Sequence, residues 1–211
     1  MSDATTTIGI LALQGGFAEH AASLRAIDGV ECREIRKKDD FDPTLSGLIL
    51  PGGESMAIAK LLSELSLLNP IAHAIGRGLP VFGTCAGMIL LAAEAGAFPH
   101  RRINLLDIAV TRNAYGRQRD SFNAIADFAD AKNVPMVFIR APGIEKIGPN
   151  VEPLASVNGR IVAVRQGNIL ATAFHPELTS DTRVHRYFVD MARIRRDATR
   201  ARNVPHPHPL C

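Results

Sequence analysis

"LPVFGTCAG", residues 79–87, is an apolar run that stops on a glycine, passes one cysteine and reaches a second glycine two residues later. A buried strand that turns sharply into a helix accounts for this order, because "MILLA" keeps the apolar character going beyond the turn. In a doubly wound sheet, ligands gather at the carboxyl ends of the strands. Cys85 therefore stands where chemistry is expected. Its GxCxG turn is the cysteine counterpart of the GxSxG nucleophile turn, in which glycines relieve crowding around a strained residue. A helix opening directly after it aims N–H groups at the sulfur and favours a thiolate, and the Ala86 N–H is offered to an oxyanion. The competing account is a structural thiol, since free cysteine is among the residue types most often buried. That account needs neither the glycines nor a base.

Working outward, the flanking sequence alternates strand and helix. "TIGILALQ" (7–14) reads as a buried strand leaving into a Gly-Gly turn, and "FAEHAASLRAID" (17–28) has helical spacing through Phe17, Ala21, Leu24 and Ile27. "VECREIR" (30–36) and "GLILPGG" (47–53) give two more strands, and residues 55–77 are helical with a break at Asn69 and Pro70. This alternation predicts an α/β fold of three layers, a mostly parallel central sheet with helices on both faces. The second half differs. "INLLDIAVTRN", "VPMVFIRAP", "EPLASV", "RIVAVRQG" and "NILATAFHPE" are strand-like with short connections, and predict an antiparallel or mixed extension closed by a helix over 181–199.

The chain has 211 residues, enough for one domain with an aliphatic core, here expected over residues 1–200. Cys32, Cys85 and Cys211 are odd in number and show no CxxC spacing, which argues against a disulfide framework or a zinc site. "MSDATTT" carries no signal-peptide pattern and no apolar run approaches the roughly 20 residues of a membrane span, so a cytoplasmic protein without a membrane partner is expected. "RIRRDATRAR" (193–202) contains five Arg and one Asp of a chain whose net charge is +3, so about −1 remains for the rest. The body is thus not a polyanion surface, and no nucleic-acid partner is expected. The Pro-rich end, 201–211, with His206, His208 and Cys211, is expected to be a disordered tail.

A nucleophilic cysteine needs a base, and the base needs an orienting group. "TAFHPELT" (172–179) supplies both: Pro176 biases His175 to an extended conformation, and residues two apart on an extended chain share a face. Glu177 can then hold one imidazole nitrogen and turn the other toward the thiol. In "LILPGGES" (48–55), two glycines after a strand let the Gly53 N–H supply a second oxyanion donor. It is no phosphate loop, because the Gly-Lys-Ser/Thr that would follow is missing.

Taken together, PGGES, GTCAG and HPE resemble a class I, triad-type glutamine amidotransferase, with Cys85, His175 and Glu177 as the triad. More narrowly, "LALQGGFAEH", "RNAYGRQRDSF", "FIRAP" and "TAFHPELT" resemble the glutaminase subunits of pyridoxal 5'-phosphate synthase, with RNAYGRQ the most discriminating stretch. The resemblance implies a class I amidotransferase-like, flavodoxin-like fold and hydrolysis of L-glutamine to L-glutamate. It implies ammonia channelled to a separate synthase subunit in a large hetero-oligomer, and no cofactor of its own. It places glutamine against Gly52, Gly53 and Glu54, Arg112, and Ile139 with Arg140. Where that family carries Thr-Thr after PGGES, this chain has Met56 and Ala57, and Ser55 is expected to take over the helix cap. The alternatives are a glutaminase serving another synthase, such as the one making imidazole glycerol phosphate, a cysteine hydrolase of another amide, and a flavodoxin-like binding module with a buried thiol.

Overall fold

The computed structural model describes residues 5–112, 114 and 121–202, with side chains up to residue 198. Most of RNAYGRQ, and the tail from 203 onward with His206, His208 and Cys211, lie outside the described residues.

β1 (Thr6–Leu11), β2 (Val30–Ile35), β3 (Gly47–Leu50), β4 (Val81–Thr84) and β12 (Ile169–Thr172) form a parallel core. β11 (Arg160–Gln166) and β10 (Glu152–Val157) extend it antiparallel, giving a seven-stranded sheet in the order β10-β11-β12-β4-β3-β1-β2. Of the five runs expected to form a mixed extension, "EPLASV", "RIVAVRQG" and "NILATAFHPE" thus enter the main sheet, whereas "INLLDIAVTRN" and "VPMVFIRAP" fall in smaller sheets of their own. All residues of β3, β4 and β12 are buried, as strands covered on both faces must be.

One face carries α1 (Phe17–Arg25) and α5 (Arg183–Arg202), whose Phe188 and Ala192 approach Gly47 of β3. The opposite face carries α2 (Ser55–Glu64), α3 (Leu68–Gly76) and α4 (Ala86–Leu91). The period of two along β4 divides its side chains between these layers. Phe82 packs at 5.6 Å, ring centre to ring centre, from Phe188 of α5, and Thr84 reaches His20 of α1, whereas Gly83 abuts Gly87 of α4. Burying an aromatic of this size stabilises the fold by about 1.5–3 kcal/mol.

The chain breaks between α2 and α3 at Leu65–Leu67, with Ser66 at φ +55°, and not at Asn69–Pro70. Pro70 sits in the first turn of α3, where its missing N–H has no helical acceptor to lose. α1 ends three residues short of the expected Asp28, because a turn closes from the Ile27 N–H onto the Leu24 carbonyl and Gly29 takes φ +72°. Three strands outside the expected set complete smaller sheets: β5 (Ala92–Glu94) and β9 (Gly143–Ile147) flank β6 (Leu106–Thr111), and β7 (Ser121–Phe128) pairs with β8 (Ala131–Ile139). In that hairpin Phe122 stacks on its cross-strand partner Phe138 at 4.4 Å. β8 reaches the main sheet through a hydrogen bond from the His175 N–H to the Val137 carbonyl, 2.8 Å. Among the described residues no helix is long and apolar enough to cross a membrane.

Candidate active site

The carboxyl ends of β1, β3, β4 and β12 converge on a cavity of about 840 Å³ lined by Cys85, His175, Glu177, Gly52, Gly53 and Glu54. Arg112, Ile139 and Arg140 lie in the same wall, so every side chain expected at the site except Ala86 borders it directly. Ala86 opens α4 beside Cys85.

Cys85 has φ +47° and ψ −98°, a conformation side chains rarely adopt. Its N–H donates to the Thr172 carbonyl of β12 at 2.8 Å, so the neighbouring strand end holds the turn in this strained shape. The glycine at position 87 is required by contact: a Cβ there would run into the Leu50 carbonyl of β3. α4 is under two turns long. What it brings to the sulfur is its first N–H groups rather than an extended macrodipole.

His175 Nδ1 and Glu177 Oε1 are 2.7 Å apart. Pro176 keeps His175 out of the helical region, at φ −107° and ψ 88°, short of the extended conformation expected, and Glu177 reaches the ring from a single 3-10 turn, Pro176–Leu178, and not from a continuing strand. A buried histidine is ordinarily pushed down in pKa. Here a hydrogen bond to Cys85 and the carboxylate of Glu177 outweigh burial and raise it to about 10. With Nδ1 held by Glu177, Nε2 is the nitrogen left for the thiol. Burial pushes the Glu177 carboxyl up, but the imidazole N–H groups of its neighbours, His175 among them, favour the carboxylate and bring it below the usual value.

Gly52 is held on both sides. Its N–H donates to Thr84 Oγ1 at 2.8 Å, and its carbonyl accepts from the Gly16 N–H at 3.0 Å. A Cβ on Gly52 would overlap the His175 ring, coming within 2.8 Å of Nδ1 and 3.4 Å of the Cys85 Cβ. Gly52→Ala is therefore expected to push the imidazole off line and lower the kcat/KM of the reaction at Cys85 by about 100-fold, since a misplacement near 1 Å costs that much. A kcat/KM within twofold of wild type, in protein with an unchanged circular dichroism spectrum, would show that the ring has room to move.

Glu54 is the N-cap of α2: its carboxylate accepts from the Met56 and Ala57 N–H groups at 3.2 and 2.7 Å. The cap expected of Ser55 is thus made one residue earlier, and Ser55 is buried in the first turn. The longer Glu side chain reaches back to both donors, which needs no hydroxyl at 56 or 57. Arg112 is exposed, 5.9 Å from the Phe98 ring centre, and Arg140 takes φ +43° at the end of β8.

Three residues that sequence inspection passed over belong to the site. Gln14 Oε1 accepts the Glu54 N–H at 2.7 Å, Thr84 anchors Gly52, and His20 stands behind Glu177. The signal for Gln14 was positional: it follows β1 as Cys85 follows β4, at the same end of a parallel sheet.

The SNO glutamine amidotransferase family matches residues 10–194. Pyridoxal 5'-phosphate synthase subunit PdxT of Haemophilus influenzae (strain PittEE) is 52% identical over 189 residues, 89% of this chain and 98% of that protein. The protein of the same name from Streptococcus pneumoniae (strain JJA) is 52% identical over 88% of this chain and 97% of its own length. A solved structure described as a glutamine amidotransferase superposes with a TM-score of 0.83 at 44% identity, covering 88% of this chain and 98% of the other. The structure of PurLQS from Thermotoga maritima, at 17% identity and a TM-score of 0.60 over 94% of this chain and 99% of the other, shares the fold. A strained cysteine turn, a histidine–glutamate pair and a near full-length sequence match agree: the chain belongs to the SNO glutamine amidotransferase family.

Proposed function

We propose that this chain hydrolyses L-glutamine to L-glutamate and ammonia with Cys85, His175 and Glu177, and delivers the ammonia to a separate synthase subunit that makes pyridoxal 5'-phosphate. The observation that carries the proposal is the set gathered in one cavity, with His175 Nδ1 bonded to Glu177 and Cys85 on the same wall. The likeness to PdxT subunits supports the synthase as receiver.

The steps follow from the charges. His175 takes the Cys85 proton as the sulfur attacks the glutamine carboxamide carbon, and the Gly53 and Ala86 N–H groups stabilise the oxyanion. His175 passes its proton to the departing ammonia, leaving a thioester on Cys85. The neutral imidazole then takes a proton from water, whose hydroxide attacks the thioester; collapse expels the Cys85 sulfur as a thiolate beside the protonated ring, and the new carboxyl of glutamate gives its proton to solvent. Glu177 keeps Nδ1 protonated throughout. For the substrate's own charges, Arg112 and Arg140 offer cations to the α-carboxylate, and Gly52, Gly53, Glu54 and the backbone at Ile139 complete the wall.

The test is reconstitution. This chain, the synthase subunit, glutamine, a pentose phosphate and a triose phosphate are expected to generate pyridoxal phosphate absorbance. Formation with ammonium salts but not with glutamine would show that this chain does not feed that synthase. A glutaminase rate that rises when the synthase is added would support docking of the two subunits.

A further inference from the structure

Behind the triad, on the face away from the cavity, lies a buried polar chain. His185 Nε2 is 2.9 Å from His20 Nδ1, and His20 Nε2 is 3.1 Å from Thr84 Oγ1 and 3.5 Å from Glu177 Oε2. Both imidazoles are fully buried, edge-on to Phe82 with ring centres 6.0 Å away. Glu177 spends its Oε1 on His175, while Oε2 is buried with no partner in hydrogen-bond geometry. A buried carboxylate oxygen with no donor is costly, and among the described residues the group facing it is His20 Nε2.

The tautomer follows from the partners. If His185 donates from Nε2 to His20 Nδ1, His20 carries its proton on Nε2, toward the carboxylate, and His185 Nδ1, which has no partner, is a bare lone pair. The reverse arrangement would orphan a buried N–H on His185 and turn a lone pair of His20 on the carboxylate. Burial lowers the pKa of both rings, His185 to about 3, so His20 serves as a neutral donor.

We propose that His20 is a positioning residue for the triad, its Nε2–H shared between Glu177 and Thr84 so that one imidazole holds both the carboxylate and, through Thr84, the Gly52 backbone. The proposal rests on the triad reading of the same site. Its consequence is mechanical and electrostatic. The carboxylate stays aimed at His175 Nδ1, and the Gly52 strand end keeps its distance from the same ring. His20 is not among the residues that line the cavity, so the role is exerted through Glu177 and Thr84.

The test compares His20→Leu, His20→Asn and His20→Gln in the full chain. Gln places an amide N–H where Nε2 stood, whereas Asn keeps a polar contact near His185 but ends short of Glu177. Two readouts need neither glutamine nor a partner: the pH dependence of Cys85 alkylation by iodoacetamide, with half-buried Cys32 as reference, and the His175 ring titration by NMR. The titratable groups around His20 are Glu177, His175, His185 and Glu19, all retained in the variants. In His20→Leu and His20→Asn the loosened carboxylate is expected to lower the His175 titration by about one pH unit and Cys85 alkylation at pH 7 about tenfold. His20→Gln is expected to stay within about twofold of wild type. His20→Asn carries the test if His20→Leu does not fold. Wild-type profiles in the Leu or Asn variant, with only a lower Tm, would overturn the proposal, as would a Gln variant as impaired as Leu. Wild-type Cys85 reacting no faster than Cys32 would instead bring down the triad reading itself, and this inference with it.

Discussion

Cys85→Ala is expected to abolish ammonia release from glutamine, a loss on the order of 10⁴-fold or more, while the fold is kept. The size of the effect follows from what remains. Gly53 and Ala86 can still offer N–H groups to an oxyanion, but the carboxamide meets no nucleophile, and water at that position lacks the sulfur's polarisability and proximity. The fold survives because Ala carries the same Cβ into the φ +47° turn, whose backbone is held by the Thr172 carbonyl and not by the thiol. Its melting temperature should move by no more than a change of about 1 kcal/mol allows. The variant also has a signature that a merely damaged site lacks. Without the sulfur's hydrogen bond and negative charge, His175 should titrate well below about 10, measured by NMR of the imidazole. An unchanged His175 titration would mean that Cys85 and His175 are not paired.

The second large effect belongs to the base. His175→Asn should cost roughly 10³- to 10⁴-fold in kcat, because both the proton for departing ammonia and the acceptor for water's proton are lost. Glu177→Gln should cost less, about 100-fold, and should change the pH profile as well as the rate. The sign can be worked out. Glu177 raises the His175 pKa, so the protonated ring needed for ammonia departure persists toward pH 10 in wild type. Removing that negative charge lowers the pKa, and the alkaline limb of kcat should move to lower pH. A Glu177→Gln profile that fell in amplitude with no shift would show Glu177 acting by shape alone.

What could be read along the chain and what could not divides on a physical line. The proposed triad could be read along the chain because each part is local: a strained turn needs its flanking glycines within two residues, and a histidine and its orienting carboxylate can lie two apart. The parallel core was legible because strands buried on both faces are continuous apolar runs, as in "GLIL" and "LPVF". β7 was not, since its inward positions Phe122, Ala124, Ala126 and Phe128 alternate with Ser, Asn, Ile and Asp, and two alanines with an outward isoleucine blur a period of two. The cap of α2 was misplaced by one residue because Glu and Ser stand side by side, and only the backbone path decides which reaches the free N–H groups. His20, Thr84 and His185 were invisible for a stronger reason. Thr84 and His185 are separated from His20 by 64 and 165 residues, and only the stacking of α1 and α5 on one face of β4 brings the three together behind Glu177.

The most direct measurement of the central claim is mass spectrometric mapping of the adduct formed with a glutamine-mimicking electrophile. A single adduct on the peptide carrying Cys85, formed faster than on denatured protein and suppressed by excess L-glutamine, is the predicted result. Modification at Cys32 or Cys211 instead, or no protection by glutamine while ammonia release continues, would contradict it.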